Sequence, residues 1–243
     1  MYAAATAEIQ AAGTSLPAVT SGLRAGEYSP REGWRRPDPP IGEASGDQLI
    51  AIDCEMVDTS AGHELARLSV CDAHGEVMLD LLVAPSAPVT DYLTQWSGIT
   101  AETLAGVTRS LADAQTELLE LVDGESILVG HSLENDLRAL KIVHDRVIDT
   151  SVCFPRRGGR GGKQSLRALA DCYLNLKIQL GDGEEGHDST EDARTAMQLA
   201  LLRLRFGHDD VRIANHAAAM RRAAPADSED TPRQTQSDHS LLQ

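Results

Sequence analysis

Apolar positions fall in short runs and helical stripes between residues 48 and 206, and the two flanks lack both. Leu49 to Val57 is an apolar run broken only by Asp53, Cys54 and Glu55, and its length and isoleucine content predict a buried strand. Glu64 to Cys71 and Glu76 to Val83 flank Asp72-Ala-His-Gly75, whose glycine-ended turn predicts an antiparallel hairpin, so the first three strands form a meander. Ser110, with Asp113 three residues on, opens a helix whose apolar face is Leu111, Ala114, Leu118, Leu121 and Val122. A short strand is then expected at Ile127 to Val129. Ser132 is expected to cap a helix carrying Leu133, Leu137 and Leu140, followed by a strand at Val147 to Asp149 and helices at Leu166 to Tyr173 and Thr190 to Phe206. An antiparallel meander followed by alternating strands and helices places the chain in the α/β class, with a mixed sheet flanked by helices.

Residues 1–47 mix Ala, Gly, Pro and Ser without periodicity and are expected to be a disordered leader. The domain is expected at 48–206. The remainder, 207–243, is expected to be mostly disordered, with a short helix near 210–222. No run of eighteen apolar residues occurs, and the first basic residue is Arg24, so neither a membrane span nor a secretory signal is expected.

Charge narrows the function. The chain carries a formal net charge of -15, and the predicted domain holds 14 basic and 25 acidic residues. That excludes a generally basic protein that coats nucleic acid, and any polyanionic substrate must be gripped locally. The four cysteines, Cys54, Cys71, Cys153 and Cys172, form no CxxC pair; small core positions in a reducing compartment fit them best.

The acids of the first strand are the anomaly, because an unpartnered buried carboxylate is costly. Asp53 and Glu55 stand two apart on one face, with side chains roughly 7 Å apart, a spacing suited to one cation or a pair. A solvated edge strand is the plainer alternative. Asp136 falls in the first turn of a helix, where acids are favoured in any case. Asp192 falls in Ser189-Thr-Glu-Asp192, a capping-box pattern. His187 stands five residues before it on a Gly-flanked loop. Together these are the parts of two-metal phosphodiester hydrolysis, in which carboxylates hold hard divalent ions and histidine deprotonates water.

The set resembles the DEDDh 3′→5′ exonucleases of the ribonuclease H-like fold, and within them the Rex-type RNA exonucleases. The likeness rests on Ala51-Ile-Asp-Cys-Glu-Met56, Trp96-Ser-Gly-Ile-Thr100, Val129-Gly-His-Ser-Leu-Glu-Asn-Asp136, Asp149-Thr-Ser151, Ser165-Leu-Arg167 and Gly186-His-Asp-Ser-Thr-Glu-Asp-Ala193, and covers Gln48 to Leu204. It implies a five-stranded mixed sheet, two divalent ions (Mg²⁺ or Mn²⁺) held by Asp53, Glu55, Asp136 and Asp192, and His187 as general base. It implies a 3′-nucleotide pocket at Met56, Trp96, Gly98, Ile99 and Thr100, single-stranded 3′ ends, RNA foremost, as substrate, and a nuclear rather than cytoplasmic location. The same chemistry on DNA, and an inactive binding module on this fold, are the alternatives.

Arg156-Arg-Gly-Gly-Arg-Gly-Gly-Lys163 has Arg157 and Gln164 where a phosphate-binding loop needs Gly and Ser or Thr. With Arg167 it nevertheless holds 5 of the domain's 14 basic residues, so Arg156, Arg157, Arg160 and Lys163 are expected to track substrate phosphates.

Overall fold

Alternation along the first strand decides the layers. In the computed structural model, which describes residues 33–39, 48–154, 162–180, 186–207 and 210–223, strand β1 spans Leu49–Thr59. Its Leu49 and Ala51 side chains join one apolar cluster, and Ile50, Ile52 and Cys54 join another on the opposite face. A strand buried on both faces must be central, and β1 is. The path β3-β2-β1-β5-β6 runs through it, formed with β2 (Gly62–Asp72), β3 (Val77–Leu82), β5 (Ile127–Gly130) and β6 (Val147–Asp149). β1, β2 and β3 pair antiparallel, and β5 and β6 add in parallel. A sixth, three-residue strand, β4 (Val89–Asp91), pairs with the end of β1 and lacked any apolar signature in the sequence.

Two helical layers cover the sheet. Helix α3 (Leu111–Leu121) opens at Ser110 with a reciprocal capping box to Asp113, worth about 1 kcal/mol. With α4 (Glu134–Leu140) it buries Ala114, Leu118, Leu133, Leu137 and Leu140 under the Ile50–Ile52 face. The other face is covered by α7 (Ser189–Phe206), whose Met197, Leu199 and Ala200 meet Leu49, Ala51 and Val129. Smaller elements fill the corners: α1 (Thr94–Ser97), α2 (Ala101–Leu104), α5 (Thr150–Cys153) and α6 (Leu166–Leu169), the last continuing into a π-helical turn over Ala170–Leu174.

Three local expectations are corrected. Ser132 does not cap α4: it takes a left-handed φ of 57°, and Leu133 stands at the cap without a side-chain bond. Asp188, not Ser189, caps α7 by accepting from the Thr190 amide, while the Ser189 hydroxyl bonds Ser69 at 2.7 Å. Residues 33–39, within the expected leader, lie on the domain. Arg35 bridges Ile142, its amide donating to Lys141 O at 3.0 Å, and Asp38 O accepts from the Gly124 amide at 2.9 Å. Past the domain, α8 (Asp210–Ala223) seats Ile213 and Ala217 in buried positions, and most of the expected tail lies outside the described residues. Among the described residues no helix is long and apolar enough to cross a membrane.

Candidate active site

Parallel pairing of β1 with β5 reaches Ala51 opposite Val129, and one residue later β5 turns toward α4. Beyond that point the β1 edge needs another partner, since a buried amide left alone is costly. Asp136 supplies it: its Oδ1 accepts from the Cys54 amide at 2.9 Å. The helix-start acid is thus drawn to the gap where the sheet opens, between Asp53 and Glu55. On the other face α7 starts above β1 and β2, bringing in Asp192, whose Oδ2 accepts from Gln179 Nε2 at 2.7 Å and whose Oδ1 is buried without a partner. His187 Nδ1 lies 3.8 Å from Asp192 Oδ2.

The electrostatics follow from this crowding. Burial first, then Asp136, Asp192 and Glu55, push the Asp53 carboxyl well above its ordinary range. Glu55 is pushed to about 9, mainly by burial and next by Asp192, against the pull of Arg67. Burial lifts Asp136 to about 7 despite the Cys54 amide, and Asp192 to about 7 despite Gln179. His187 moves the other way: burial and the Arg167 guanidinium lower it, so its neutral form is favoured. Four buried carboxyls, each raised first by burial and then by neighbouring acids, form a site that asks for positive charge. Among the described residues no three acidic, imidazole or thiol side chains already stand as a coordination shell. The donors nevertheless suit hard divalent ions, being carboxylate oxygens, one of them a buried oxygen with no bond to lose.

Beside Glu55 opens a cavity of about 490 Å³, lined by Met56, Leu93, Trp96, Ser97 and Ala139 with His63, Asn135 and Arg138 as its other polar walls. Met56 and Trp96, expected from the sequence, are in it. Three expected neighbours are not. Ile99 is 3% exposed and packs with Val57 and Ala66; Thr100 caps α2, its hydroxyl engaged with the Thr103 amide; and Gly98 closes α1 with a left-handed φ of 64°. Lys163 is paired with Glu134 and lies 4.0 Å from Asp149. Arg156, Arg157 and Arg160 lie outside the described residues.

Several residues were not read from the sequence. Arg67, held by Asp80 at 2.7 Å, reaches within 3.6 Å of Asp188 and moderates Glu55. Gln179 holds Asp192 from a loop position with φ 55°. Asn135 and Arg138 had a usable signal, lying within two residues of Asp136 on a helix start; His63 had none.

The RNase T model, described as an exonuclease, matches residues 50–200. The RNA exonuclease 1 homolog of Homo sapiens is 45% identical over 166 residues, 67% of this chain and 13% of that protein. RNA exonuclease 5 of Bos taurus is 47% identical over 159 residues, 65% of this chain and 20% of that protein. The chain therefore spans a fifth or less of these two relatives. Among solved structures, the Saccharomyces cerevisiae Pan2 pseudoubiquitin hydrolase-RNA exonuclease module in complex with AAGGAA RNA superposes with a TM-score of 0.60 at 27% identity, covering 78% of this chain and 35% of that one.

Proposed function

This chain belongs to the exonuclease family that the RNase T model describes, and from that membership we propose that its domain is a 3′→5′ exoribonuclease releasing nucleoside 5′-monophosphates. The observation that carries the reading is the meeting of Asp53, Glu55, Asp136 and Asp192 at one gap in the sheet, with His187 against Asp192 and a nucleotide-sized cavity alongside.

Divalent metal ions are general to this family. Here Asp53, Glu55, Asp136 and Asp192 would hold them, two Mg²⁺ or Mn²⁺ in our reading. When bound, such ions acidify a water and offset charge at the scissile phosphate. The chain does the rest. Met56 and Trp96 hold the terminal nucleotide in the cavity beside Glu55, which aligns the last phosphodiester with the acids. His187, neutral because burial and Arg167 disfavour its charged form, accepts the proton of the attacking water. The water oxygen bonds to phosphorus, the bond to the 3′ oxygen breaks, and that oxygen leaves with a proton from solvent. The resemblance to Rex-type enzymes, which favour RNA and the nucleus, supports RNA as substrate and a nuclear location.

The test is a 5′-labelled single-stranded RNA and its DNA counterpart, each incubated with Mg²⁺ and with EDTA and resolved on a gel. Stepwise shortening of the RNA, with 5′-monophosphates released only with Mg²⁺, is expected. Shortening of the DNA alone would move the substrate class, and an intact RNA and DNA would refute the enzyme.

A further inference from the structure

The nucleotide cavity and the proposed base share a backbone. Trp96 sits on α1, a single turn from Thr94 to Ser97, and its indole lines the cavity while 54% exposed. The carbonyl of that same residue accepts the His187 amide at 2.7 Å. Behind this bond two glycines touch. A Cβ added at Gly186 would lie 2.0 Å from Gly98 N, 2.4 Å from Gly98 Cα and 2.6 Å from Thr94 O, so the loop before His187 is laid directly on the turn that closes α1. Both glycines hold positive φ, 68° at Gly186 and 64° at Gly98, which lets the two backbones approach without side chains between them. On its other side His187 leads into Asp188, the cap of α7. The imidazole is therefore strung between the α1 turn and the start of α7, which also carries Asp192.

The α1 turn is itself braced from below. Thr94 Oγ1 donates to Ile99 O at 2.6 Å, Ser97 Oγ donates to Tyr92 O at 2.8 Å and accepts from the Ile99 amide at 3.0 Å, and Ile99 is buried. A load on Trp96 from the cavity side is thus passed to the segment hung on its carbonyl rather than dissipated in a loose loop.

We propose that Trp96 is a positioning residue for His187: a terminal nucleotide seated against the indole sets the α1 turn, and through the Trp96 carbonyl and the Gly98–Gly186 contact sets the imidazole for proton transfer. This deepens the exonuclease reading and rests on it. It also differs from the plain view of Trp96 as a source of affinity. A binding role raises KM and leaves saturated turnover alone; a positioning role lowers saturated turnover, and only while His187 is there to be positioned.

A double-mutant cycle separates them, with the full chain, Mg²⁺ and saturating single-stranded RNA under single-turnover conditions. Trp96→Ala is expected to lower the maximal rate about tenfold in the native background and less than about twofold in His187→Ala, a non-additivity that signals action through the histidine. Trp96→Phe, which keeps an aromatic wall, is expected to restore most of the rate. An equal loss in both backgrounds, or a change in KM alone, overturns the proposal while leaving the exonuclease reading standing. No RNA hydrolysis by the native chain would sink that reading first. Trp96 is exposed, so melting temperatures of the variants are expected to match their parents, and a rate loss that tracks a lowered melting temperature counts against the coupling.

Discussion

Replacing Glu55 by Gln in the metal-free protein is expected to stabilise it, and by an amount that depends on pH. Glu55 is 8% exposed, and burial together with Asp192 raises its carboxyl from 4.5 to about 9. At pH 7 the unfolded chain ionises this group and the folded chain does not. The forgone ionisation costs about 3.5 kcal/mol, some 2.5 pH units at about 1.4 kcal/mol each. Because the folded value lies above the unfolded one, the cost is absent below pH 4.5, grows as pH rises, and levels off above about 9. Gln keeps the shape without the titration. The figure is a ceiling, since neighbouring buried carboxyls titrate together and a buried amide still needs partners. For a domain of this size it corresponds to a rise of at most roughly 7–14 °C in melting temperature at pH 7. Thermal melts in EDTA from pH 5 to 8.5 supply the measurement. The two proteins should melt nearly together at pH 5 and separate steadily as pH rises. Adding Mg²⁺ should lift the native protein more than the variant, closing the gap. A gap that does not change with pH, or a variant less stable throughout, would refute the account of these acids as a mutually repelling cluster.

Other expectations follow from the same geometry. His187→Ala should lose about 10²- to 10⁴-fold in single-turnover rate while still binding Mn²⁺. The native acidic limb, set by an imidazole that burial and Arg167 hold below its ordinary value, should vanish from the variant's pH profile, and its persistence there would remove His187 from the role. Gly186→Ala cannot place its methyl 2.0 Å from Gly98 N, so the loop must shift; a rate as fast as native would show that the contact does not hold His187. Changing Arg156, Arg157 and Arg160 to Ser should flatten the salt dependence of RNA binding, whereas Lys163→Ser, which removes an ammonium paired with Glu134, should not alter the slope in a filter-binding titration.

What the sequence made legible was whatever broke a local rule. Two acids inside an apolar strand asked for either a solvated edge or a charged site, and the central place of β1 removes the edge reading for Asp53 and Glu55. Asp136 and Asp192 were harder, because a helix start welcomes acids anyway. Only the structure separates the functions, giving the cap of α7 to Asp188 and leaving Asp192 for the site. The pocket was half legible. The family resemblance grouped Trp96 with Ile99 and Thr100, but a single helical turn sends Trp96 outward and Ile99 into the core. Arg67, Gln179 and His63 break no local rule, so only the fold reveals them. The segment at residues 33–39 was missed for a related reason: backbone bonds and polar contacts such as Arg35 with Thr116 and Arg36 with Asp145, not an apolar pattern, hold it to the domain.

Asp136 does two jobs with one carboxylate, completing the strand ladder at Cys54 and facing the acid cluster. The two jobs have different tolerances under mutation. Asn keeps an oxygen for the Cys54 amide and loses the charge, while Ala strands the amide in a buried gap. A lineage that gave up catalysis on this scaffold would be free to drift at Asp53, Glu55 and Asp192, yet would be held to Asp or Asn at 136 by folding alone. An acid that outlives its chemistry at that position would therefore be a relic of the sheet, not of the enzyme.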